Sequence, residues 1–356
     1  MHKRYFYVLL VCLISAGCAN PVSFNNINDN GHLLAFPSAS YTDLLRVNNQ
    51  LVAIAGNRIQ NEPGHDRPEY ALEGDLNLQT LSFPDDENCH NKTEYGNFQP
   101  LPDGRVGMIK DCLGGSGSPS NPLGDYRYLL AFDLDNQEIT QIVDGPLSDR
   151  RTAGGYAWNP EMTLGVQEKG VGATRATLYW ISPDGITEMD IEIEDDSLIW
   201  NLKDDFVNLE RICSGMADRP AWSPDGNTIS FFASSEPIQK DCQTHLIYRE
   251  SLYFMDPKAL LPTKILEGIY DPITPEWSPN SEALAFLGCY DSRVQCGIWV
   301  YFRSDGKLTK IVSGEFIGIA WTSDSSIAAL KCNKQDEICY GSPTEVWEYS
   351  LDSSLK

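Results

Sequence analysis

Residues 228–233 read Thr-Ile-Ser-Phe-Phe-Ala, an apolar run entered through Ser-Pro-Asp-Gly and preceded by a short stretch that ends at Trp222. Pro224 presets φ for a turn, and Asp225-Gly226 supplies the left-handed conformation of a tight hairpin, so the pattern predicts two antiparallel strands. The same alternation of turn and apolar strand returns at 274–287, as Pro-Glu-Trp-Ser-Pro-Asn followed by Leu-Ala-Phe-Leu, and at 318–330, as Ile-Ala-Trp-Thr-Ser-Asp. Residues 155–166 keep the Trp, the Pro and the apolar second strand, whereas 98–109 keep Pro-Asp-Gly without the Trp. Trp158, Trp222, Trp277 and Trp321 are 64, 55 and 44 residues apart. A loose period of this size predicts a propeller or another closed array of sheets, because one thin sheet cannot bury both its faces without neighbours.

Strands counted along the chain place blades at 42–83, 97–144, 156–193, 220–266, 275–312 and from Ile319 to the end. In the third blade, 189–193 (Met-Asp-Ile-Glu-Ile) alternates apolar and polar residues, as an outer strand with one wet face does. Residues 194–215 break the rhythm, and Phe206, Leu209 and Ile212 have helical spacing, which predicts an inserted helix at 204–212. The last blade shows three strands, and 32–36 (His-Leu-Leu-Ala-Phe) is a strand without a neighbour in sequence. Pairing these ends leaves no raw edge. The expected fold is therefore all-β: a six-bladed propeller of four-stranded antiparallel blades, closed by strand 32–36.

The 356 residues are 42% hydrophobic and 22% charged, enough for one large repeat domain over 31–356. A formal net charge of -23 repels phosphate backbones and argues against nucleic acid as a partner. The N-terminus has its own logic. A basic start (Lys3, Arg4) precedes about ten apolar residues, too few to span a bilayer but suited to a signal peptide. Leu-Ile-Ser-Ala-Gly-Cys at 13–18 resembles the lipobox of bacterial lipoproteins. That resemblance implies cleavage before Cys18, lipidation of its sulfur and a membrane anchor, with the outer membrane as destination where the cell has one. The Asn-rich stretch 19–30 then reads as a flexible tether.

Beyond Cys12 and Cys18, eight cysteines remain, an even number that in an exported chain reads as disulfides. Cys289 and Cys296 flank the loop between second and third strands of the fifth blade. Cys332 and Cys339 flank the same loop of the sixth at the same spacing, which predicts two hairpin staples. Elimination and proximity add Cys213–Cys242 and Cys89–Cys112. With five His and neither Cys-x-x-Cys nor His-x-x-x-His, no metal or other cofactor is expected.

The Trp-Ser-Pro-Asp-Gly phrases resemble the WD40-like repeats of the TolB-type six-bladed propeller, most closely from Tyr156 onward. The resemblance implies that fold, an envelope location and a tendency to bind proteins at the mouth of the ring. The chain has no Gly-x-Ser-x-Gly, no His-Glu-x-x-His, no Walker A loop and no Gly-x-Gly-x-x-Gly. These absences lead to the expectation of a monomeric, non-enzymatic module that binds an envelope protein or peptide. The alternative is a carbohydrate-binding or polysaccharide-processing propeller. In either case the candidate positions are the loops that enter each first strand and converge at the mouth: Arg150, Arg151, Asp218, Arg219, Tyr270, Asp271 and Glu315. Two readings of these charges stand side by side, a binding site and local salt bridging on a solvated rim. The repeated Trp residues are read as packing between blades, since each buries a large area there.

Overall fold

The turn that recurs in the sequence is closed by its own side chains. Ser223 Oγ accepts from the Thr228 amide (2.9 Å) and bonds to the Asp225 carboxylate (2.5 Å), and Ser278 bonds in the same way to Ala283 (2.9 Å) and Asn280 (2.7 Å). In the third repeat Asn159 takes the part of the serine, its Oδ1 accepting from Thr163 and Leu164 at 2.9 and 3.0 Å. These local bonds satisfy backbone groups that the tight turn would otherwise leave without partners, and they start the antiparallel pair on either side.

The computed structural model describes residues 31–35, 41–56, 70–74, 77–81, 92–113, 126–144, 155–171, 175–188, 194–195, 198–199, 218–234, 249–292, 295–332 and 344–351. Its described residues are strands and turns throughout. After β1 (His32–Ala35), the strands β2 (Tyr41–Val47), β3 (Gln50–Gly56), β4 (Tyr70–Gly74) and β5 (Asn77–Leu81) form one antiparallel sheet in chain order. A second sheet holds β6 (Lys92–Pro100), β7 (Val106–Leu113), β8 (Tyr126–Phe132) and β9 (Ile139–Gln141). A third holds β10 (Tyr156–Trp158), β11 (Gly165–Val171), β12 (Arg175–Ser182) and β13 (Gly185–Glu188). The short pair β14 (Glu194–Asp195) and β15 (Leu198–Ile199) follows.

Next comes a seven-stranded sheet: β16 (Asp218–Trp222), β17 (Ile229–Ser234), β18 (Arg249–Met255), β19 (Pro262–Trp277), β20 (Ala283–Tyr290), β21 (Cys296–Phe302) and β22 (Lys307–Ser313). The last sheet contains β23 (Phe316–Ser323), β24 (Ser326–Cys332) and β25 (Thr344–Ser350), and its outer place is taken by β1. The N-terminal strand thus pairs with the C-terminal one as the edge argument requires, His32 opposite Glu348, Leu33 opposite Trp347 and Ala35 opposite Val346.

The core lies between the sheets. One apolar cluster joins Leu45 and Ile54 of the first sheet to Phe98 and Met108 of the second. The next joins Ile109 and Leu129 to Tyr156, Trp158 and Ile181, and a third joins Val166 and Leu178 to Phe231 and Tyr253. Phe232 and Leu252 meet Trp277, Phe286 and Trp299, and Ala285 and Ile298 meet Ile319, Trp321 and Tyr349. Finally Leu44 and Ala53 of the first sheet meet Ala320, Leu330 and Val346 of the last. Fully burying one such Leu, Ile or Phe is worth about 1.5–3 kcal/mol, so these interfaces, rather than the turns, carry the stability. Each repeated Trp faces the sheet before its own. Two of them also donate there, Trp277 Nε1 to the Ala221 carbonyl (3.2 Å) and Trp321 Nε1 to the Glu276 carbonyl (2.9 Å). The packing expected of the Trp residues is what the structure shows.

The turns interlock as well. Asn48 Nδ2 donates to the Gly104 carbonyl (3.0 Å), the Asp225 amide to Ser281 Oγ (2.9 Å) and the Asn280 amide to the Asp324 carboxylate (3.0 Å).

The structure departs from expectation in three places. Residues 262–277, expected as two strands of separate blades, form one strand that pairs first with β18 and then with β20. The switch is made by register shifts between Tyr270 and Ile273 and between Ile273 and Glu276, where Asp271 takes a left-handed conformation (φ 48°) and the chain kinks from one partner to the next. The fourth strand of the third sheet is already under way at Gly185–Glu188, ahead of the expected 189–193: a two-residue turn sets Ser182 opposite Gly185 and starts the pairing at once. The second sheet begins at Lys92 rather than Asn97, with a register shift between Gly96 and Gln99 and Asn97 at φ 52°. Residues 189–193 and the helix expected at 204–212 lie outside the described residues.

The two kinds of Trp make a testable contrast. Trp321→Phe removes a satisfied indole bond and should cost about 1 kcal/mol more in urea unfolding than Trp222→Phe, because the buried Nε1 of Trp222 has no partner among the described residues. Equal losses would show that the indole bond between sheets contributes nothing.

Candidate functional site

Where β19 changes partner, the chain presents side chains outward. Tyr270 stands opposite Arg249 of β18 and Cys289 of β20, half-buried between them. Asp271 is exposed and left-handed (φ 48°), a conformation disfavoured for a residue with a Cβ. Pro272 is buried and cannot donate to the ladder, and Ile273 is 38% exposed. Gly288, at φ 155°, allows this close approach: a Cβ there would lie 3.2 Å from the Tyr270 carbonyl and 3.3 Å from Pro272 Cα.

The β20–β21 hairpin beside it is braced. Cys289 and Cys296 are directly opposed and joined by a disulfide, as the spacing predicts. The Asp291 amide donates to the Gly268 carbonyl (2.9 Å) and the Gly314 amide to the Cys296 carbonyl (3.3 Å). The hairpin is thereby tied on one side to the crossing strand and on the other to the segment carrying exposed Glu315. Tyr270, Asp271 and Glu315, three of the expected mouth residues, flank one stapled hairpin. Asp218 opposes Phe232 at the start of β16 and Arg219 follows it, with side chains outside the described residues. Arg150, Arg151 and Cys18 lie outside them altogether. So do Cys89 of the expected Cys89–Cys112 pair, Cys339 of Cys332–Cys339, and both members of Cys213–Cys242.

Polar groups on or beside the first strands of the sheets were not singled out from sequence. Tyr156 and Gln167 stand opposite each other at the interface between second and third sheets, 0% and 1% exposed. Neither the Tyr156 hydroxyl nor Gln167 Nε2 has a hydrogen-bond partner among the described residues. Burial first, then the nearby Asp43 carboxylate, hold the Tyr156 hydroxyl well above its ordinary range. Glu276, immediately before Trp277, is partly buried, and its carboxyl has no hydrogen-bond or ion-pair partner among the described residues. Desolvation pushes this carboxyl up to about 8. Its signal was present in the repeat, where Glu-Trp replaces the Ala-Trp of 157–158, 221–222 and 320–321. Among the described residues, no group of three or more His, Cys, Asp or Glu is arranged to hold a metal ion, and no helix is long and apolar enough to cross a membrane.

The chain matches no protein-family model and no curated protein. Solved structures are more informative. The chain is similar to an α-L-arabinanase of Penicillium chrysogenum complexed with arabinobiose, at 12% identity, a TM-score of 0.53 and coverage of 90% of this chain and 98% of that one. It is similar to an oligogalacturonate lyase in complex with manganese, at 11% identity, a TM-score of 0.50 and coverage of 86% and 75%. TolB from Acinetobacter baumannii is also similar, at 12% identity and a TM-score of 0.43, over 73% of this chain. The chain spans half the length of that TolB. With the repeated antiparallel sheets, the likenesses to the arabinanase and the oligogalacturonate lyase define the chain as a β-propeller.

They also correct the expectation of a non-enzymatic protein, since a lyase and an arabinanase are among the proteins of this fold. The absent motifs belong to enzymes of other folds. A propeller gathers its polar groups from first strands far apart in sequence, so no contiguous motif marks them.

Glu276 gives a pH prediction. Its folded value of about 8 lies above the ordinary 4.5, so folding favours the protonated form. The stability it contributes is complete below about pH 4.5 and is lost as pH rises to about 8. Glu276→Gln should therefore gain on the wild type in urea unfolding as pH rises from 5 to 8.5, and a constant difference between the two would refute the shift.

Proposed function

We propose that this chain is an exported, lipid-anchored, six-bladed propeller that binds a neutral saccharide at the mouth beside the β19 crossing. The observation that carries the ligand reading is the juxtaposition of Tyr270, Asp271 and exposed Ile273 along a strand braced by the Cys289–Cys296 hairpin. An aromatic ring, a carboxylate and an aliphatic surface held together suit a sugar, which has apolar C–H faces and a rim of hydroxyls. The net charge of -23 disfavours polyanionic saccharides and narrows the class to neutral ones. The arabinanase and the oligogalacturonate lyase, both of this fold, support a carbohydrate as ligand.

The blade count is supported by four four-stranded sheets together with a seven-stranded sheet whose β19 serves two units of four. Apolar clusters link each of these units to the next and the last to the first. The anchor is supported by the resemblance of residues 13–18 to a lipobox. A second reading, an envelope protein or peptide at the same mouth, is favoured by Ile273, one of two large apolar residues exposed among those described.

Asp271→Gly relieves the left-handed residue and should keep or raise stability by up to about 1 kcal/mol. If the mouth is the site, the same change should weaken binding of uncharged oligosaccharides by about tenfold in calorimetry, the loss of one charged hydrogen bond. Unaltered affinity would remove Asp271 from the site, and a wild type that binds peptides but no saccharide would install the second reading. The anchor is tested separately: Cys18→Ser should abolish incorporation of labelled palmitate in a bacterial host, and continued labelling would refute lipidation at Cys18.

A further inference from the structure

The repeat reveals an exception at one interface. The residue before each Trp points toward the sheet that follows. Ala157 packs in the cluster shared by third sheet and β17–β18, and Ala221 in the cluster shared with β20–β22. Ala320, 1% exposed, packs in the cluster shared by the last sheet and the first. The fourth member of the series is Glu276, and it lies opposite Ala285, whose cluster includes Ile319 and Trp321 of the following sheet. The Glu276 carbonyl accepts the Trp321 indole N–H (2.9 Å), so its backbone holds the register its sisters hold while its side chain differs.

Three alanines show what the packing alone requires. A carboxyl in that place is costly unless something compensates it, and no hydrogen-bond or ion-pair partner does so among the described residues. Such unexplained costs concentrate at functional positions. The residue is partly exposed and rides on the first strand of its unit, the strand that contacts the first strands of both neighbouring units, β16 and β23. First strands line the central passage of a propeller, which places Glu276 on an element beside it.

We propose that the Glu276 carboxyl is a ligand contact in the central passage, hydrogen-bonding a hydroxyl of an uncharged saccharide. The class of ligand rests on the saccharide reading above, whereas the choice of residue rests on the repeat. Burial keeps the carboxyl protonated at neutral pH, so it offers both a donor and an acceptor, the pair that a sugar hydroxyl uses. Gln reproduces that pair in nearly the same shape, and Ala, the sister residue, removes it.

The test titrates the full-length protein, wild type, Glu276→Gln and Glu276→Ala, with uncharged arabino-, xylo- and gluco-oligosaccharides, and follows urea unfolding of each variant. Glu276→Ala should bind about tenfold more weakly and Glu276→Gln within about threefold of wild type at pH 7. Wild-type affinity should fall between pH 7 and 9 while that of Glu276→Gln stays level. Should Glu276→Ala bind as the wild type does, the contact is overturned and the saccharide reading stands. Should no oligosaccharide bind the wild type, both fall together. A Glu276→Gln variant less stable than wild type at pH 7 would make the carboxyl a structural group and overturn the contact independently of any ligand.

Discussion

Each sheet in this protein is too thin to shield itself, so the structure depends on faces meeting faces. The Trp that ends or nearly ends the first strand of the last four units, on β10, β16, β19 and β23, does most to hold that arrangement. Its ring fills the gap to the preceding sheet, and at Trp277 and Trp321 the indole nitrogen also donates to a carbonyl across it. The two effects act differently. Apolar burial draws sheets together without fixing their angle, and the directional bond to the residue before the previous Trp fixes the step from one unit to the next. The N-terminal strand, beside β25, completes the last unit and removes an edge that would otherwise be open to pairing with another chain.

That constraint leaves the two ends of the sheets unlike each other. At the Trp end, turns of neighbouring units are hydrogen-bonded together, Asp225 to Ser281 and Asn280 to Asp324, which ties them down. At the other end the connections vary in length and carry Tyr270, Asp271 and Glu315. There the architecture tolerates departures such as β19, which passes from one unit into the next through a left-handed Asp and a buried Pro. Backbone irregularity at an exposed position on a braced scaffold is the usual setting of a binding site. The disulfide and two backbone bonds around the β20–β21 hairpin supply the bracing here.

Charge has separate effects at two scales. The excess of acidic groups over the whole chain governs which partners approach, disfavouring polyanions at a distance. Inside the interfaces the relevant quantity is desolvation, which raises the Tyr156 hydroxyl and the Glu276 carboxyl and keeps both protonated at neutral pH. A protein of strongly negative net charge therefore keeps neutral titratable groups within its sheet interfaces.

The sequence by itself determined whatever is written in local chemistry: the Ser-Pro-Asp-Gly turns, the strands after them, the Trp at the interface, the pairing of strand 32–35 with β25 and the Cys289–Cys296 staple. Turn residues act over four positions and a repeat states its phase openly, so these features are readable without coordinates. Strand continuity through 262–277 and the early start of β13 were not, because partner choice depends on register with strands distant in sequence. The candidate positions were legible only as a set of loops, and which of their side chains share one hairpin was decided by the β19 crossing and the brace beside it. Glu276 shows the division most plainly. Its letter differs from those of its sisters in the sequence, but only the packing of one sheet on the next turns that difference into a carboxyl in an apolar interface without a hydrogen-bond or ion-pair partner among the described residues.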